Sequence, residues 1–168
     1  VPLLMQEERL DEVVLSKLDV DLSKVDKPNL TEWKNFLYRF KNPDQTVHIG
    51  LVGKYVELKD SYKSIAEALA HAGANLKTRV EIHWIHSEQI VRKNVQEKLG
   101  HLHGILVAPG FGSRGIDGKL ESIHFARTND IPFFGICLGM QCAVVEFARN
   151  VLDLTDAHSS EIKEYTPH

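Results

Sequence analysis

Cysteine is scarce in this sequence: 168 residues carry only Cys137 and Cys142. They lie five positions apart across what reads as a strand–helix junction, which suits neither a disulfide nor a zinc site. Long apolar runs are missing as well. None approaches the roughly 20 residues that a membrane helix needs, and no basic segment followed by an apolar one opens the chain as a secretory signal would. The expectation is a cytoplasmic protein in a reducing compartment, with no membrane partner. Basic excess is also absent: 20 Lys and Arg against 23 Asp and Glu leave a formal charge of −3, which argues against a general nucleic-acid binder. There is no internal repeat and no low-complexity run. What remains is 43% hydrophobic and 26% charged, in a length that buries a proper core.

The first 45 residues read differently from the rest. Val1–Val20 begins with an extended Val-Pro and continues with Leu10, Val13, Val14 and Leu18 at helical spacing. This opening looks like that of a chain cut from a longer one. Residues 19–28 are polar and read as a linker. Asn29 or Thr31 then caps a helix bearing Trp33, Phe36, Leu37 and Phe40, whose aromatic face is either ordinary packing or an interface. From Thr46 strands and helices alternate: strands at 47–53, 79–85 and 104–108, helices at 61–71, 88–99 and 116–128. This alternation predicts an α/β fold, a doubly wound, mostly parallel sheet with helices on both faces. Ligands of such sheets gather beyond the carboxyl ends of the strands.

One of those ends carries the strongest signal. Pro132–Ile136 reads as a buried strand, Gly135-Ile136-Cys137-Leu138-Gly139 as a turn, and Gln141–Arg149 as a helix. A side chain between a strand end and a helix start sits on a sharp bend, which flanking glycines permit, as in a nucleophile elbow. The helix N-terminus offers unpaired N–H groups and favours thiolate over thiol. Cys137 is therefore the expected nucleophile, and Cys142, inside the helix, a core residue. The loop 109–115, Pro-Gly-Phe-Gly-Ser-Arg-Gly, either donates backbone N–H groups to an oxyanion or makes a tight turn. Gly53-Lys54 has the same two readings. A thiol nucleophile needs a base, commonly His, yet none of the nine histidines (48, 71, 83, 86, 101, 103, 124, 158 and 168) sits at a strand end that obviously faces the elbow.

The residues 104–112 and 135–141 together resemble the class I glutamine amidotransferases, which hydrolyse glutamine through a Cys-His-Glu triad on a flavodoxin-like sheet. Gly53-Lys54-Tyr55, Asp60–Ser64, Phe111–Gly115, Glu146–Asn150 and Ser159-Ser160-Glu161 are similar to the glutaminase half of the CTP synthase family, and Val1–Leu4 resembles that family's interdomain linker. The resemblance implies that 1–45 is an interdomain linker with N-terminal helices and 46–168 part of an amidotransferase domain. It implies Cys137 as nucleophile, with the N–H groups of Gly110 and Leu138 as oxyanion hole. Gly110, Phe111, Gln141 and Glu161 would hold L-glutamine, and Lys54, Tyr55, Phe111 and Arg114 would belong to a lid linked to GTP, an allosteric activator. A missing synthase domain would bind UTP and ATP with Mg2+, and the full protein would be a homo-tetramer. No metal or cofactor is expected in this stretch. Two departures stand out. Pro109 replaces a glycine and brings no N–H, and the sequence ends at Thr166-Pro167-His168, before the family's catalytic His-x-Glu, so the stretch alone is expected to be nearly inactive. The alternatives are another class I amidotransferase, a γ-glutamyl hydrolase, or a non-catalytic flavodoxin-like binding module.

Overall fold

The computed structural model describes residues 1–163. Four strands, β1 (Gln45–Gly53), β2 (Thr78–His86), β3 (Gly104–Val107) and β4 (Phe133–Gly135), form one parallel sheet in the order β2-β1-β3-β4. Parallel neighbours require crossovers, and helices supply them. These are α4 (Lys63–Asn75), α5 (Val95–Leu99) and α6 (Ile116–Thr128), with α7 (Leu138–Val151) following β4.

β3 and the second half of β1 are buried on both faces and read as continuous apolar runs, while the edge strand β2 leaves Arg79 and Glu81 exposed and alternates, and β4 leaves Phe134 exposed. Leu51 and Leu106 point into one core with Ile65 and Leu69 of α4. Their neighbours Val52, Ile105 and Val107 point into the other, with Leu99 of α5, Ile123 and Ala126 of α6, and Leu138 and Cys142 of α7. The expected doubly wound α/β architecture is what the chain adopts.

Local departures have local causes. Val1-Pro2 is not extended: Pro2 opens α1 (Pro2–Glu7), where its missing N–H costs nothing. Arg9, at φ 52°, separates α1 from α2 (Leu10–Lys17). The linker holds one 3-10 turn, Leu22–Lys24, capped by Asp21. Asn29 accepts the Thr31 N–H at 3.0 Å at the start of α3 (Thr31–Lys41), and Phe36 stacks on Trp33 and meets His71 of α4 edge-on, so the aromatic face is packing. The helix expected from 61 starts at Lys63, after a 3-10 turn at Lys59–Tyr62. The helix expected over 88–99 shrinks to Val95–Leu99, because the Asn94 side chain accepts from Val91 N–H and donates to the Gln89 carbonyl, stabilising a non-helical approach.

Candidate functional site

The parallel register brings the decisive loops together. Val52 pairs with Val107, and Val107 with Gly135, so β1, β3 and β4 release their following loops side by side at the carboxyl edge. Cys137 stands two residues past β4 and Gly110 three past β3. Lys54 immediately follows β1.

The Cys137 backbone lies at φ 52°, ψ −110°, a region that non-glycine residues avoid and that costs on the order of 1–3 kcal/mol. Close packing enforces it. A Cβ added to Gly139 would meet the Val107 carbonyl oxygen at 2.1 Å, and one on Gly135 would meet the Gly139 backbone at 2.6 Å. No real Cβ tolerates either contact, so the first turn of α7 sits directly on the ends of β3 and β4 because both positions are glycine. Cys137 is exposed, and its carbonyl accepts from the N–H groups of Met140 and Gln141. Among the described residues, neither the Leu138 N–H nor the Gly110 N–H is taken up by an acceptor. Free donors at a helix N-terminus suit a developing negative charge. Cys142 is the opposite case: buried in the core, its thiol is pushed up by desolvation, which Lys119 and Arg149 only partly offset.

The glycine loop is held from inside. Gly110 sits at φ 143°, Gly112 at 85° and Gly115 at 76°. The Lys54 side chain is buried, and its Nζ donates to the Phe111 carbonyl and, at 3.4 Å, to that of Gly112. Phe111 itself projects outward, 79% exposed. The Tyr55 ring has two cations near it, with Lys54 Nζ and the Arg114 guanidinium each 5.8 Å from its centroid, and Arg114 also pairs with Glu88 at 3.1 Å. The four expected lid residues thus form one cluster, in which Lys54 is already engaged by the loop backbone.

Gln141 and Glu161, twenty residues apart, are also brought together. Gln141 Nε2 donates to Glu161 at 3.0 Å, and the Ser159 hydroxyl donates to Gln141 Oε1 at 2.6 Å. Ser159 had no assigned role in the sequence. Two further residues escaped it: Lys119, fully buried, whose Nζ donates to the Ala108 carbonyl at 2.9 Å, and Tyr62, whose hydroxyl reaches the Pro109 carbonyl at 3.5 Å. A charge on the apolar stripe of Ile116 and Ile123 was the available signal for Lys119.

Among the described residues no imidazole is hydrogen-bonded to Cys137; His168 lies outside them. The His124–Glu146 pair, at 2.9 Å, resembles a catalytic dyad in composition only. Glu146 is nine residues along α7 from Cys137, about 13 Å at helical rise, and its carboxylate is also held by Arg127. Four other histidines, His48, His83, His101 and His103, gather around the opposite end of the sheet. Among the described residues no group of three or more His, Cys, Asp or Glu is arranged to hold a metal ion, and no helix is long and apolar enough to cross a membrane.

Comparison with known proteins agrees with this fold. Residues 57–166 match the glutamine amidotransferase class-I family. CTP synthase of Cytophaga hutchinsonii is 61% identical over 99% of this chain, and that of Flavobacterium johnsoniae 60% over all of it. The chain spans only about 30% of the length of these relatives. The glutaminase domain of Trypanosoma brucei CTP synthase, solved with bound acivicin, superposes with a TM-score of 0.65 at 38% identity, over 73% of this chain and 48% of that one. With most of its length matched by the family and relatives of about 60% identity covering it end to end, the chain belongs to the class I glutamine amidotransferase family.

Proposed function

We propose that this chain is the glutaminase part of a CTP synthase, supplying ammonia for the ATP-dependent amination of UTP to CTP. The observation that carries the reading is Cys137, exposed at φ 52° between two glycines that admit no side chain. L-Glutamine would lie with its α-amino group near Glu161, which Gln141 and Ser159 orient, and with its side-chain amide at the elbow. The Cys137 thiolate adds to the amide carbon, forming the S–C bond while the oxygen takes the charge opposite the N–H groups of Gly110 and Leu138. Collapse of that adduct breaks the C–N bond, the nitrogen leaves protonated as ammonia, and water later hydrolyses the thioester to glutamate. A base must move the protons, and among the described residues no imidazole is hydrogen-bonded to Cys137. Tyr55, Phe111 and Arg114 form the lid through which GTP would act as activator, with Lys54 anchoring it. ATP with Mg2+ and UTP are handled by a synthase part, in a cytoplasmic homo-tetramer.

The test is incubation with a glutamine-analogue alkylator followed by peptide mass spectrometry. Modification at Cys137, suppressed by excess glutamine, is expected; modification at Cys142 instead would refute the assignment.

A further inference from the structure

The oxyanion-side loop has too few constraints of its own. Three of residues 110–115 are glycines at positive φ, and a glycine-rich backbone samples both orientations of a peptide plane at little cost. Pro109 removes one N–H, so the Ala108–Pro109 peptide can be held only through its carbonyl. The structure places a buried donor against each carbonyl that matters. Lys119 Nζ donates to Ala108 O at 2.9 Å, and the Tyr62 hydroxyl, 3% exposed, reaches Pro109 O at 3.5 Å.

We infer that Tyr62 and Lys119 are positioning residues that lock the Pro109–Gly110 peptide, turning the Gly110 N–H away from the interior and into the glutamine site. In a trans peptide the carbonyl and the next N–H point in opposite directions. A hydroxyl holding the Pro109 carbonyl from below therefore aims the Gly110 N–H outward. Lys119 fixes the residue before. Its burial supports this purpose: a fully buried ammonium with no carboxylate within ion-pair distance among the described residues is expensive to maintain, and a leucine would fill the same space. Desolvation, against which Cys142 and Cys137 pull, presses the Lys119 ammonium down, and burial pushes the Tyr62 phenol up, keeping it a donor. Tyr62 is itself seated by Gly53, where an added Cβ would strike its hydroxyl at 2.6 Å.

This rests on the glutaminase reading, and the test separates the two. Acivicin and iodoacetamide are each reacted with the full chain, as wild type, Tyr62→Phe and Lys119→Met, with folding checked by circular dichroism. Acivicin adds the sulfur across a C=N bond before chloride leaves, so charge develops where the Gly110 N–H would point. With iodoacetamide the sulfur displaces iodide directly at a saturated carbon, the charge leaves with iodide, and none develops at that position. The expected result is a maximal acivicin inactivation rate about tenfold lower in both variants, part of what losing a whole oxyanion donor costs. The half-saturating acivicin concentration and the iodoacetamide rate should stay within about twofold of wild type. Maximal acivicin rates equal to wild type in both variants, or acivicin and iodoacetamide rates falling together, would overturn the inference. If Lys119→Met does not fold, Tyr62→Phe and the backbone order parameters of residues 108–112 decide. Values near 0.85 support a locked loop and values below about 0.6 overturn it. A wild type that iodoacetamide labels at Cys137 and acivicin does not would remove the glutaminase reading, and this inference with it.

Discussion

Cys137 concentrates the conflict between stability and function in one residue. Its φ of 52° is favourable only for glycine, yet the proposed chemistry needs a side chain there. Replacing Cys137 by Gly should therefore stabilise the fold, the relief of a 1–3 kcal/mol strain exceeding the extra chain entropy, for a net gain of about 1 kcal/mol. Urea denaturation measures it, and alkylation at position 137 disappears in the same variant. Gly139→Ala should do the reverse. A methyl group 2.1 Å from the Val107 oxygen forces α7 off β3, and a loss of about 3 kcal/mol is expected in the same assay, with Cys137 labelling falling as the elbow opens. Those two glycines were legible in the sequence because they bracket a single cysteine. Ser159 was not, because its partner Gln141 is eighteen positions away and only the fold closes that gap.

At the level of elements, α6 and α7 are joined by more than apolar contact. The Glu146 carboxylate, 1% exposed, accepts from Arg127 at 2.8 Å and faces His124 at 2.9 Å, while Asn150 also donates to it. Burial tends to raise that carboxyl, and the hydrogen bonds from Arg127 and His124 outweigh it, holding it below the ordinary value of 4.5. The sign of the pH effect follows. A carboxyl depressed in the folded state contributes stability that is fully present above 4.5 and is lost as the pH falls through the folded value. Denaturation midpoints recorded from pH 7 down to pH 3 should thus fall more steeply for the wild type than for Glu146→Gln. Arg127→Ala, which leaves the buried carboxylate short of its main partner, should cost about 2 kcal/mol at pH 7. That is less than the loss from a wholly buried pair, since 34% of the Arg127 side chain is in water. The periodic α6 and α7 could be read from sequence because each carries an apolar stripe. The shortened α5 could not, since Asn94 delays the helix start through bonds to Val91 and Gln89 that periodicity does not encode.

Over the whole molecule, stability and chemistry share one half and the N-terminal helices have little part in either. β1 and β3 run between two cores, and the loops that follow them carry Gly110, the proposed oxyanion donor, and the proposed lid residues. By contrast, no residue of α1 or α2 is buried, so hydrogen exchange there should proceed near the unprotected rate while β1 and β3 exchange slowest. The shift from linker-like residues to alternating strands and helices near Thr46 sets the border we propose, after residue 45. α3 lies before that border and packs on α4 through Phe36 and His71. The consequence can be tested by removing residues 1–29 and keeping α3. The shortened chain should melt within about 3 °C of the original, the shift that about 1 kcal/mol produces in a chain of this size, and acivicin should modify Cys137 at an unchanged rate. A larger fall in either quantity would mean that α1 and α2 brace the sheet through contacts their exposure does not show.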